Sequence, residues 1–198
     1  MPKLVDHAER RQAIVAAAWR LIAARGIDGI TMRDLAAEAG YCNGALSHYF
    51  SGKDEILRTA FELVLEATNQ RIDQAVRGKR GLGALRKMCY EIMPLTEETR
   101  LEARIAISLW QRALTDRNLE QINNRAVGEW RRQVATHLQY AIDDGDMDPL
   151  DVDTHADLIM TTMMGLQITA VLDRQSTPRR TQLAIFEAIL DQGRNPAD

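Results

Sequence analysis

Cysteine is nearly absent from this chain of 198 residues: Cys42 and Cys89 are the only two, and no C-x-x-C pair or zinc-ligand spacing occurs. That argues against a disulfide framework and makes a reducing compartment, the cytoplasm, the expected setting. Long apolar runs are missing too. Nothing approaches the ~18 consecutive apolar residues of a membrane span, and the opening MPKLVDHAERRQ lacks the apolar core of a signal peptide. The four histidines are scattered, and no nucleophile, base and orienting acid stand in a recognisable spacing. No catalytic residue, metal or cofactor is therefore expected. Neither sign of charge dominates: the net charge of −3 divides into +1 over residues 1–60, with 8 Lys and Arg against 7 Asp and Glu, and −4 over the remainder. A mildly positive head on an acidic body suits contact with nucleic acid through a few placed residues rather than a basic carpet.

Strand-like alternation is also lacking, and what is present has helical spacing. The fold class expected is all-α. Ile14, Ala17, Ala18, Leu21 and Ile22 form one apolar stripe that Gly26 ends. Lys53 opens a helix carrying Ile56, Leu57, Ala60, Phe61, Val64 and Leu65 and running to about Arg77. Residues 78–83 are glycine-rich and read as a linker, and a short helix with Leu85, Met88, Cys89 and Ile92 then stops at Pro94. Thr96 followed by two glutamates starts the next helix, whose apolar residues between 101 and 114 occupy more than one face, as in a helix surrounded by protein. Leu119, Ile122, Ala126, Trp130, Val134 and Leu138 describe a long amphipathic helix ending near Gly145. Residues 152–173 are too apolar for a helix exposed on one side, so a partner surface is implied. Thr177-Pro178 begins a last helix lined by Leu183, Phe186, Ile189 and Leu190 and ending before Gly193.

The most telling stretch is residues 31–53, TMRDLAAEAGYCNGALSHYFSGK. Thr31 can cap a short helix whose apolar side is Met32, Leu35, Ala36 and Ala39, and Gly40 can end it sharply. Cys42 and Asn43 restart a second helix, on which Leu46 and Phe50 share one face and the rest point elsewhere. Two short helices joined by a tight turn are the arrangement that sets the second in a DNA major groove.

The pattern T-x-R-x-[LI]-A-x-x-A-G, then G-x-[LI]-x-x-[YH]-F-x-x-K-x-x-[LI], is met by Thr31, Arg33, Leu35, Ala36, Ala39, Gly40, Gly44, Leu46, Tyr49, Phe50, Lys53 and Ile56. It resembles the DNA-binding domain of the tetracycline-repressor (TetR) family. Tyr41-Cys42 and Ser47 depart from the family's usual Val-Ser and Tyr, which touches base reading more than fold. Ser47-His48-Tyr49-Phe50 is similar to the choline-pathway (BetI) branch, and the likeness continues more weakly through Ser108-Leu109-Trp110 and 164–167. The resemblance implies a three-helix helix-turn-helix domain over residues 1–52, and over 53–198 a helical domain for effector binding and dimerisation by a four-helix bundle.

Arg33 and Asn43 are suited to guanine and adenine edges, and Ala45 to a thymine methyl, while Gly44 leaves room for close approach. Thr31, Tyr49 and Lys53 suit phosphates, and Ser47 and His48 lie on the same exposed side. For an effector the candidates are Ile105, Leu109, Trp110, Trp130, Met163 and Gln167, with plain core packing as the competing account. Met160, Met164, Ile168, Val171, Leu183, Phe186 and Leu190 are the candidate dimer contacts. Two other motifs fail. With Gly145 at the sixth position of a calcium loop, the first and third would be Tyr140 and Ile142, which offer no carboxylate. Residues 78–83 lack the Lys-Ser/Thr ending of a phosphate loop. The expectation is a ligand-responsive repressor that binds operator DNA, a small-molecule effector and a second copy of itself, with no membrane partner. A helical small-molecule-binding protein or enzyme with a structural helix-turn-helix is the alternative.

Overall fold

In the computed structural model the N-terminal apolar stripe becomes helix α1 (Lys3–Arg25), with Ile14, Ala17 and Ala18 fully buried and the chain turning at Gly26. The structure describes residues 3–26 and 29–192, with the side chains of residues 3–6, 8, 23 and 43 outside that description. After α1 come α2 (Met32–Ala39), a short 3-10 element (Asn43–His48), α3 (Lys53–Val76), α4 (Gly81–Ile92), α5 (Glu97–Ala113), α6 (Arg117–Asp143), α7 (Val152–Leu172) and α8 (Arg179–Asp191). Among the described residues there is no strand, and no helix is long and apolar enough to cross a membrane. Gly193, expected just beyond the last helix, lies outside the described residues.

The chain divides into two compact units, Met1–Leu65 with Arg104–Glu120, and Glu66–Ala103 with Gln121–Asp198. The first is thus larger than a head of residues 1–52, because it takes in the start of α3 and the second half of α5. In it α1 packs on α2, and Leu35, Leu46, Phe50, Ile56, Leu57 and Phe61 are buried together with Ile105 and Leu109. Asp54 accepts a hydrogen bond from Arg112, tying α3 to α5 within this unit. In the second unit the core is formed by Leu85, Met88, Val134, Leu138, Ile159, Met163, Phe186 and Leu190, and α7 packs on α8.

Two sequence expectations are corrected here. Residues 81–83 are the first turn of α4 rather than linker, with Gly81 and Leu82 buried. Gly81 has φ 56°, a left-handed conformation that L side chains rarely adopt, and a Cβ there would stand at an ordinary contact distance of 3.5 Å from Ala141 Cα. Leu114, expected on an apolar helix face, follows the end of α5 and is 85% exposed. Its neighbours form a turn, with Thr115 and Asp116 N–H groups donating to the Arg112 carbonyl, so helical periodicity no longer decides its direction. The acidic stretch after α6 is a turn and a cap. Asp146 and Met147 donate to the Ala141 carbonyl, and Asp151 caps α7 by accepting from Thr154 N–H at 3.2 Å.

Gly81→Ala should lower stability by about 1–2 kcal/mol, since an L side chain is strained at its positive φ. Gly83→Ala, which meets nothing within 4 Å, should raise it by ~0.5–1 kcal/mol through helix propensity. Urea unfolding followed by circular dichroism checks both, and equal effects of the two would refute the backbone-conformation account.

Candidate nucleic-acid interface and effector region

The residue types of 31–40 dictate a tightly bounded helix. Thr31 Oγ accepts from Asp34 N–H at 3.2 Å, and Asp34 Oδ2 accepts from Thr31 N–H at 2.9 Å, a reciprocal cap of the first turn. Hydrogen bonds from the Thr31 hydroxyl and N–H hold the Asp34 carboxyl below its usual range. At the other end Gly40 adopts φ 76° and its N–H reaches the Ala36 and Ala37 carbonyls, while Tyr41 N–H donates to Ala36 at 2.8 Å. The chain is thereby turned within two residues toward the next element.

That element is a 3-10 helix and not the α-helix the spacing predicts. Six residues nucleate poorly, Gly44 weakens helical preference, and Ser47 Oγ donates to the Gly44 carbonyl at 2.7 Å, engaging a backbone acceptor. Leu46 and Phe50 are buried, as their shared face requires. Thr31, Arg33, Gly44, Ser47 and His48 are exposed, and Ala45, Tyr49 and Lys53 are half-buried. The Asn43 side chain lies outside the described residues. A Cβ at Gly44 would meet nothing within 4 Å, so the fold does not demand glycine there.

Sequence reasoning missed the contribution of α1. Arg10 Nη1 donates to Tyr49 Oη at 3.0 Å, the His7 and Tyr49 rings stand 4.8 Å apart, and the Tyr41 ring is 6.3 Å from that of Tyr49. Arg11 donates to the Tyr49 carbonyl. The signal was legible, because His7, Arg10 and Arg11 fall at positions i, i+3 and i+4 of one helix face.

The expected effector residues fall in both units: Ile105, Leu109 and Trp110 in the first, Trp130, Met163 and Gln167 in the second. Trp130 is 8% exposed and donates to Asn69 Oδ1 at 2.7 Å. Gln167 Nε2 donates to the Ile92 carbonyl at 3.1 Å, which fixes the amide orientation and leaves Oε1 buried without a protein partner. Nearby in sequence, Glu91 and the buried Glu102 share Arg71, which holds Glu102 through two bonds of 2.7 and 2.9 Å and Glu91 at 3.3 Å. Burial pushes the Glu102 carboxyl up against the opposing pull of that guanidinium.

Of the expected dimer residues, Phe186 and Leu190 are fully enclosed by the chain's own core and Met160 is 5% exposed, so these three offer no surface to a second copy. Met164, Val171 and Leu183 are half-buried and Ile168 is exposed. Missed on the same two helices are the exposed Leu158, Leu172 and Ile185. Helical periodicity identified the apolar positions but not which of them the other helices of the chain would cover.

Residues 14–60 match the bacterial regulatory proteins of the tetR family, and residues 82–194 match the BetI-type transcriptional repressor C-terminal domain. The HTH-type transcriptional regulator PksA of Bacillus subtilis is 34% identical over 176 residues, covering 87% of this chain and 84% of that protein. A transcriptional regulator from Rhodococcus sp. Rha1 superposes with a TM-score of 0.82 at 25% identity, over 95% of this chain and 99% of that one. One from Saccharomonospora viridis, solved in complex with choline, gives 0.88 at 20% identity over 93% and 96%. The chain belongs to the tetR family of bacterial transcriptional regulators. Its function is DNA-binding transcriptional regulation.

Lys53→Ala should weaken binding to every duplex and reduce the salt slope by about one. Arg33→Ala should instead relax preference at particular base pairs, by roughly 1–3 kcal/mol for each base edge that goes unread. Affinity over a salt series and selection from a randomised duplex library separate the two, and an unchanged preference in Arg33→Ala would remove it from the base-reading set.

Proposed function

We propose that the chain is a homodimeric repressor whose two heads bind a palindromic operator in the cytoplasm, and whose helical bodies each take a small-molecule effector that releases the DNA. The observation that carries this reading is the geometry of 31–53: a capped helix, a sharp left-handed turn, and a short element that buries Leu46 and Phe50 while exposing its other side. Thr31, Arg33, Asn43, Gly44, Ala45, Ser47, His48, Tyr49 and Lys53 make the DNA contacts. The functional division falls at residues 52 and 53, with effector binding and self-association in the C-terminal part. Ligand release requires that effector and operator prefer different conformations, with reciprocal coupling.

Support for self-association comes from Leu158, Ile168, Leu172 and Ile185, large apolar residues left 39–78% exposed on α7 and α8. Support for an effector comes from Gln167 in the second unit, since a buried acceptor without a partner is costly unless a water or a ligand donor meets it. The effector is an apolar molecule with an O–H or N–H donor. A quaternary ammonium, which wants an aromatic cage, is less well served by the aromatics of this unit. Tyr90 meets Phe186 and Glu187, Trp130 meets Asn69, and Tyr140 lies 4.5 Å from the Arg80 guanidinium.

Footprinting should show two half-sites about 10 bp apart or a multiple of that. Leu172→Glu should give a folded monomer by sedimentation with operator affinity lowered at least about tenfold, because charge on an apolar interface is not compensated there. A dimer persisting in Leu172→Glu and in Ile168→Glu would refute this face. For the effector, apolar alcohols should release the DNA where choline does not, and Gln167→Leu should raise the alcohol concentration needed by about tenfold, as the removal of a buried hydrogen bond implies. Release by choline alone would refute the effector assignment.

A further inference from the structure

Tyr49, the residue that follows the reading element and caps it, is gripped from outside the helix-turn-helix. Arg11, on α1, donates to the Tyr49 carbonyl through Nη1 and to Glu55 Oε1 through Nη2 at 3.3 Å, and its guanidinium lies 4.1 Å from the centre of the Phe50 ring. Glu55 also accepts from Ser51 N–H at 2.7 Å and Ser51 Oγ at 2.9 Å, which ties the start of α3 to the same cluster. The neighbouring Arg10 holds the other end of Tyr49, its phenol oxygen, at 3.0 Å.

These partners differ in kind: a backbone carbonyl, a carboxylate and an aromatic face. A planar guanidinium can satisfy all three at once, whereas an ammonium is a single point charge without the fork. The element has need of such a grip. It is six residues of 3-10 geometry, and Cys42 at its start makes no side-chain cap. Its terminal carbonyls carry the negative end of the local dipole, so a cation there is favourable as well as hydrogen-bonded. Because Arg10 already donates to the phenol oxygen, the phenol's own hydrogen is the group left to donate to an anion.

We propose that Arg11 is a positioning residue for sequence reading: it fixes the angle at which residues 43–49 meet the duplex without itself touching DNA. The inference rests on the DNA-reading role of residues 31–53. Its half-buried side chain, engaged on three sides, favours holding over contacting.

The test compares wild type, Arg11→Lys and Glu55→Gln on two duplexes, one selected by the wild type from a random library and a scrambled version of it. Fluorescence anisotropy over a salt series gives affinity and slope, and a thermal melt reports folding. Arg11→Lys should remain folded, bind the selected duplex about tenfold more weakly, the scale of a single base edge left unread, and keep its affinity for the scrambled one with an unchanged salt slope. Glu55→Gln, which leaves the Arg11 bond to Tyr49 in place, should lose selectivity in the same direction but by less. A slope reduced by about one would make Arg11 a direct phosphate contact and overturn the proposal. Equal losses on both duplexes, in step with the melting temperature, would make it a structural residue only and overturn it too. If Arg11→Lys does not fold, unchanged selectivity in a folded Glu55→Gln overturns it. Failure of the wild type to enrich any sequence would bring down the DNA-reading role itself, whereas enrichment with unaltered selectivity in Arg11→Lys overturns only the part assigned to Arg11.

Discussion

A reading element of six residues cannot hold its own shape, and that constraint organises the first unit. A 3-10 turn of this length gains little from its own hydrogen bonds, so its orientation must come from what it is pressed against. Leu46 and Phe50 supply the apolar part by burying fully. The polar part comes from α1, through the arginine pair at 10 and 11, and from α3, through Glu55. Upstream, the reciprocal cap at Thr31 and Asp34 and the left-handed Gly40 set where the chain enters. Exposed polar side chains then become a consequence of seating: once the two apolar residues face inward, Gly44, Ser47 and His48 have only solvent, or DNA, to face.

The second unit solves a different problem, that of ending α4 inside the core. Met93 is fully buried and the chain there is no longer helical, so its carbonyls must be met by side chains. Arg71 reaches the Glu91 carbonyl at 3.5 Å, Gln167 the Ile92 carbonyl and Gln182 the Pro94 carbonyl at 3.3 Å. Helices α3, α7 and α8 are thereby fastened to one turn. Both glutamines use their N–H groups on this turn and keep a buried Oε1 without a protein partner.

Local chemistry made much of this legible in the sequence. The α1 stripe ending at Gly26, the cap at Thr31, the stop at Gly40 and the start at Thr96 depend on residues within a turn of one another, and each stands as its residue type requires. The helix-turn-helix was readable for the same reason: its apolar face, its glycine and its family pattern all fall within residues 31–56. Local rules misled where distant residues or a short span intervened. Residues 81–83 look like a linker until Ala141 is brought beside Gly81, and the 43–48 segment looks α-helical until the short span and the Ser47 bond favour the tighter turn.

The sequence by itself therefore determined most of the helices, their caps and the position of the helix-turn-helix, because periodicity and capping are written in neighbouring residues. Tertiary structure alone decided which apolar side chains are spent inside the chain and which stay exposed: Phe186 and Leu190 disappear into the core, while Leu172, at the end of α7, stays 78% exposed. It also decided that Arg11 meets the Tyr49 carbonyl, from which 38 residues of sequence separate it. Burial and long-range hydrogen bonding depend on which elements meet in space, and that is information no stretch of this chain carries alone.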